Sequence, residues 1–195
     1  MDKENNKIKK IKLYTSQSDI VLQIIENDGV CYSKKEFVRK KYYESAPIFI
    51  TAYSWFVKEF EKIIPNPEKA EYPYWAFKEL YNLDDSGGGN AIKLNVPLEE
   101  AVLFDLFDWN KIICMKYIGE NEEDEREFKE NIKKLGLKET DIMLTNFYPE
   151  LKQKITESWK RLFRNNENIK NGNEKEIHGV QAGLWQIKKE WIIRE

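Results

Sequence analysis

The sequence predicts an α+β protein, a mixed and mostly antiparallel sheet of about five strands with helices packed on it. Three observations carry this. Period-two alternation of apolar and polar residues recurs near the start, in the middle and at the end of the chain. Apolar stripes at three- and four-residue spacing lie between those stretches. Breakers such as Gly29, Pro65, Pro67 and Gly136 separate the two kinds of pattern.

Residues 1–10 form a charged, flexible N-terminal tail, and 11–195 read as one domain. Ile11–Gln17 is a first strand, with Ile11, Leu13 and Thr15 on one face and Lys12 and Tyr14 on the other. Ser16 or Ser18 caps the next helix, whose stripe is Ile20, Val21, Ile24 and Ile25. Gly29 stops that helix by taking a left-handed conformation, and Val30–Tyr32 is a short strand. Ser33–Lys41 is basic and reads as a solvated face. A long helix spans Ala46–Ile64 on Phe49, Ala52, Tyr53, Phe56, Phe60 and Ile63, and ends before Pro65. Tyr72–Phe77 is an extended aromatic segment.

Asp84–Asn90 is a flexible turn that leads into Ala91–Ile112, the expected centre of the fold. There Ile92, Leu94 and Val96 alternate with polar residues until Pro97, which lacks an N–H for the ladder. Leu98–Glu100 makes a turn, Val102–Phe104 is apolar, and Asp105 and Asp108 open a helix reaching about Ile118. Asn121–Leu135 places acids first and lysines last, as the helix dipole favours. Pro149–Phe163 is helical on Leu151, Ile155, Trp159 and Leu162, followed by a polar mobile loop at about 165–175. A terminal strand within Ile177–Arg194 occupies the middle of the sheet, with Gln181, Trp185, Ile187 and Trp191 on one face and a bulge at Gly183.

Composition removes several functions. With 32 basic and 34 acidic residues the net charge is −2, which argues against duplex DNA, whose binders neutralise phosphates. One histidine, His178, cannot build a multi-histidine metal site. Cys31 and Cys114 show no CxxC spacing and read as buried, reduced thiols of a cytoplasmic protein. No apolar run approaches a membrane span, and the polar start lacks a secretory core. Gly87-Gly88-Gly89 is not a phosphate loop, because a strand follows it and no GK[ST] appears. The 6 Trp, 10 Tyr and 10 Phe supply a core of large rings, of which one or two are available to a planar ligand. Asp105 with Asp108 and Glu99 with Glu100 are capping and turn residues, and nothing near His178 in sequence orients it as a general base.

Five motifs in fixed order, Leu13-Tyr14-Thr15-Ser16-Gln17, Tyr72–Ala76, Asn95–Glu100, Asp105–Trp109 and Val180–Trp185, resemble an uncharacterised bacterial domain-of-unknown-function family, number 3841. A remoter resemblance, in element order, is to the ADP-ribosyltransferase fold: an opening strand, a helix ending in glycine, and a late strand starting with a catalytic acid or Gln. That resemblance implies NAD as cofactor, Gln181 and Thr15 as catalytic residues, and Gln17, Tyr74, Trp75 and Trp185 as cofactor contacts. Thr15 and Gln17 stand where that superfamily carries His or Arg. Two other readings remain open: a recognition domain for a protein partner, and a single-stranded nucleic-acid binder using Ser33–Lys41 and stacking rings.

Overall fold

The computed structural model describes residues 8–35, 46–67, 69–84 and 88–194. The expected tail, the basic stretch Ser33–Lys41 and the turn Asp84–Asn90 therefore lie wholly or partly outside the described residues. The elements in order are β1 (Lys10–Gln17), α1 (Asp19–Asp28), β2 (Val30–Tyr32), α2 (Ala46–Phe60), β3 (Tyr74–Phe77), β4 (Asn90–Pro97) and β5 (Val102–Asp105). There follow α3 (Leu106–Ile113), α4 (Glu122–Lys134), α5 (Glu139–Leu144), α6 (Pro149–Ser158), α7 (Asn166–Lys170), β6 (Val180–Leu184) and β7 (Gln186–Lys188). Short 3-10 turns cover Leu80–Asn82, Leu98–Glu100, Trp159–Asn165 and Lys189–Trp191.

The expected α+β class holds. Five strands form a sheet in the order β4-β1-β3-β6-β5, with every neighbouring pair antiparallel. A two-stranded antiparallel ribbon, β2 with β7, stands beside it.

The segment expected at the centre supplies both edges instead, β4 on one side and β5 on the other, and β3 takes the middle. The residues allow this. β4 alternates with polar Lys93 and Asn95 and ends in Pro97, as suits an edge. β5 is buried throughout because its own edge is covered: the Leu103 N–H donates to the Asn166 amide oxygen at 2.8 Å. Residues 166–170, read from sequence as part of a mobile loop, thus form the helix α7, with Asn166 and Ile169 buried. Their polarity satisfies a strand edge, which composition alone does not reveal.

The two sheet faces carry two cores. Leu13, Tyr74, Ala76, Leu103, Ala182 and Leu184 face α1, through Val21 and Ile25, and Ile169 of α7. Val102, Phe104 and Trp75 face the aromatic side, built from Phe56 and Phe60 of α2, Trp109 and Ile112 of α3, and Trp159. Ile20 of the expected α1 stripe is exposed, whereas Val21 and Ile25, an i,i+4 pair, are buried and Ile24 packs half-buried against the same core. Gly29 caps α1 at φ +79° as expected.

β6 lies inside the sheet, as expected of the terminal strand, but the chain breaks at Trp185 and β7 joins the ribbon with β2. Gly183 makes no bulge. It pairs in register with Trp75 and Val102, and a Cβ there would stand 2.7 Å from the ring of Phe56. The glycine serves the close approach of that ring.

Candidate functional site

Thr15 and Gln17 do come together. The Thr15 hydroxyl donates to the Trp75 carbonyl at 2.8 Å and accepts from the Gln17 amide at 2.7 Å. Thr15 shares the strand face of Leu13, the α1 side. Gln181 pairs with Phe77 and Phe104 and projects to the opposite, aromatic face. β3 also separates β1 from β6, so the two strands stand about 10 Å apart. The structure brings no hollow between Thr15 or Gln17 and Gln181. Gln181 is 2% exposed, and its side-chain oxygen has no hydrogen-bond partner.

The rings named as cofactor contacts lie in the core. Tyr74 donates its hydroxyl to Cys31 Sγ at 3.1 Å, and burial first, then this thiol, raises its phenol pKa strongly. The Trp75 indole donates to the Tyr53 hydroxyl at 2.9 Å. Trp185 stacks on Phe60 at 4.1 Å between ring centroids and donates to the Ile64 carbonyl at 3.0 Å. Each ring has its apolar body packed and its polar tip satisfied internally, which is how large rings fill a core.

The arrangement with chemistry in it lies elsewhere, where β5 runs into α3. Asp105 ends β5 and caps α3, accepting from the Phe107 N–H at 2.9 Å. Because Asp105 pairs with Val180, the residue two before Val180 arrives beside that cap. The other Asp105 oxygen accepts from the His178 N–H at 3.1 Å and meets His178 Nδ1 at 3.0 Å. Asp105 is 6% exposed, whereas the His178 side chain is 66% exposed. The ring of Phe107 lies 4.9 Å from the imidazole. Nδ1 is thus the ring nitrogen placed to donate to the Asp105 carboxylate.

One turn further on, buried Asp108 pairs with Arg164 at 3.0 Å and with Lys111 at 3.4 Å. Across Gly179 the Leu80–Asn82 turn closes in, the Asn82 amide standing 3.1 Å from where a Cβ on Gly179 would be. Leu80 and Tyr81 of that turn and Phe107 of α3 are exposed. The expected capping role of Asp105 is what the structure shows. Its partner was invisible in the sequence, 73 residues away.

A cavity of about 580 Å³ opens along the ribbon, lined among others by Tyr32, Gln186, Lys188, Lys189 and Arg194. None of the six residues named for NAD chemistry lines it. Its cations are already matched: Lys188 to Glu100 at 2.6 Å, and both Lys189 and Arg194 to Glu26. Asp28 and Glu190 on its wall enter no ion pair among the described residues, so it does not select an anion. No group of three or more His, Cys, Asp or Glu is placed to hold a metal among the described residues. Cys31 is buried as expected, but Cys114 is exposed, because it ends α3 facing outward. No helix among the described residues is long and apolar enough to cross a membrane.

No curated protein and no solved structure matches the chain, and the likeness to the ADP-ribosyltransferase fold gains nothing from these comparisons. The resemblance carried by the five motifs has a different outcome. The strand ends and turns that place Asp105 and position β6 all lie within residues 12–193, the span that matches the family described as "Domain of unknown function (DUF3841)", and the chain belongs to that family.

Proposed function

We propose that this protein is a recognition domain that docks a protein partner at the corner where Phe107 packs on His178, next to the Leu80–Asn82 turn that carries exposed Leu80 and Tyr81. The observation that carries the reading is the exposure of two rings, 53% for Phe107, which lies against an imidazole held by a buried carboxylate, and 80% for Tyr81 on the neighbouring turn. Aromatic side chains anchored on a rigid base are what protein interfaces use as binding hot spots. Phe107 sits on the first turn of α3, fixed by the Asp105 cap. The balanced charge supports a protein partner over a polyanion. Two free cysteines, one of them exposed, suit a reducing cytoplasm.

An NAD-dependent transferase finds no such support. Its nominated residues are divided between the two sheet faces or packed in the core, and the cavity along the ribbon is lined by other residues. The nucleic-acid reading rests on Ser33–Lys41, most of which lies outside the described residues.

A photo-crosslinking residue placed at Phe107 or at Tyr81 in the living cell tests the docking corner. A control is placed at Ile20, exposed on α1 beyond the Gln17 end of β1, at the other end of the sheet. Positions 107 and 81 should give one shared adduct that position 20 does not. Identical adducts from all three, or none from 107 and 81, would sink the reading. Millimolar NAD should leave the thermal midpoint unchanged, and a rise would restore the transferase.

A further inference from the structure

The net charge of −2 conceals an uneven placement of the lysines. Strands β1 and β4 carry Lys10, Lys12 and Lys93 and no Asp or Glu. Register and the two-residue period put all three lysines on one face of the sheet, the face from which Val102 and Phe104 enter the aromatic core. The pairing lays a row across that face. Lys93, Tyr14, Phe77, Gln181 and Phe104 stand opposite one another on β4, β1, β3, β6 and β5. Neighbours in such a row are about 5 Å apart.

The two ends of the row differ. At the inner end Phe56 and Trp109 pack on Phe104, and Gln181 beside it is buried. At the outer end Lys10, Lys12 and Ala91 are exposed, and Tyr14, Phe77, Lys93 and Asn95 are half-buried. None of the positions that β1 and β4 present to this face is buried. Half of the sheet face is therefore core, and the other half is a basic surface with two adjoining rings.

Adjoining rings on a flat sheet, with cations around them, suit unpaired bases. Aromatic side chains on a sheet surface stack successive bases, and lysines meet the phosphates between them. An acidic peptide would match the lysines but leave the rings without a planar partner, and a duplex keeps its bases stacked on one another. We propose that the β4-β1-β3 half of this face binds single-stranded nucleic acid, with bases on Tyr14 and Phe77 and the phosphate backbone on Lys10, Lys12 and Lys93. Affinity of this kind comes from the local patch and not from the charge of the whole chain. The face shares no residue with the docking corner and does not depend on it.

Fluorescence anisotropy of a labelled oligothymidylate of about twelve nucleotides tests the face on the full chain. The wild type should bind with a Kd of about 10–100 μM at about 50 mM salt, roughly tenfold tighter than the same strand paired with oligoadenylate. Each phosphate met by a lysine adds about −0.7 to the slope of log K against log salt, so the slope should be about −2. Lys12→Gln with Lys93→Gln should bring it to about −0.7. The charge-matched pair Lys133→Gln with Lys134→Gln, at exposed positions on α4, should change neither slope nor affinity. Tyr14→Leu removes a stacking plane and no charge, and should lower affinity about tenfold at an unchanged slope. The lysine pairs occupy positions outside the core, so their comparison stands should Tyr14→Leu fail to fold. No binding at about 1 mM protein, equal affinity for the duplex or for polyglutamate, or equal effects of the two lysine pairs would overturn the proposal.

Discussion

Asp105 and His178 are joined through one carboxylate that also starts a helix. One oxygen caps α3 at the Phe107 N–H, and the other receives both the main-chain N–H and the ring of His178. The two tasks are separable by substitution. Asn is as good a cap as Asp, whereas Ala leaves the N–H groups of the first turn unmatched. Asp105→Ala should lose about 1–2 kcal/mol in urea unfolding, and Asp105→Asn should stay within about 0.5 kcal/mol of wild type. Equal losses would mean that the charge facing His178 matters more than the cap.

Gly183 tests the aromatic core. An added methyl would lie 2.7 Å from Phe56 Cζ and 3.0 Å from Cε1. Phe56 cannot retreat, since Trp75 stands at 4.8 Å, Phe60 at 5.3 Å and Trp109 at 5.4 Å between ring centroids. Gly183→Ala should lower stability by about 1–3 kcal/mol. Adding Phe56→Leu should recover part of that loss, and strict additivity of the two would show that the methyl finds room elsewhere.

Gln181 is one of the two residues that the resemblance offered as catalytic, and its buried oxygen has no partner among the described residues. An unmatched buried acceptor costs about 1–3 kcal/mol. Gln181→Met keeps the length of the side chain and removes that oxygen, so the unfolding midpoint should rise. A clear fall would show that the amide holds a structural contact.

Glu139 gives a pH signature. Burial raises its carboxyl pKa from the ordinary 4.5, opposed by the hydrogen bond from the Tyr117 N–H. A carboxyl with a folded pKa above its unfolded value adds stability that is complete below the unfolded value. That stability is lost as pH rises through the folded one. Gln accepts the same N–H without a charge to bury. Glu139→Gln should therefore be more stable than wild type at neutral pH, with the gap closing as pH falls below about 4. A gap independent of pH would assign the effect to something other than ionisation.

The local rules in the sequence held where neighbours in the chain suffice. Gly29 and Gly136 take the left-handed stops, and Asn121 caps α4 ahead of its acidic turn. Asp105 caps α3. They failed where a partner from far along the chain decides. Alternation in Ala91–Pro97 identifies a strand but not its place, because edge and centre differ only in what lies alongside. Asn166 reads as loop until the bare N–H of Leu103 is put beside it. Ile20 fits a helical stripe, and only the direction α1 presents to the sheet leaves it exposed.

By itself the sequence determined the class of the fold, the bounds of β1, α1, β2, β5 and α4 to within a residue or so, and the family, because these follow from period, breakers and motif order along the chain. Tertiary structure alone decided which polar residues meet. Side chains alternate across a strand, so Thr15 and Gln181 fall on opposite faces although both lie in one sheet. Antiparallel pairing of β5 with β6 laid the lone histidine on a helix-capping aspartate.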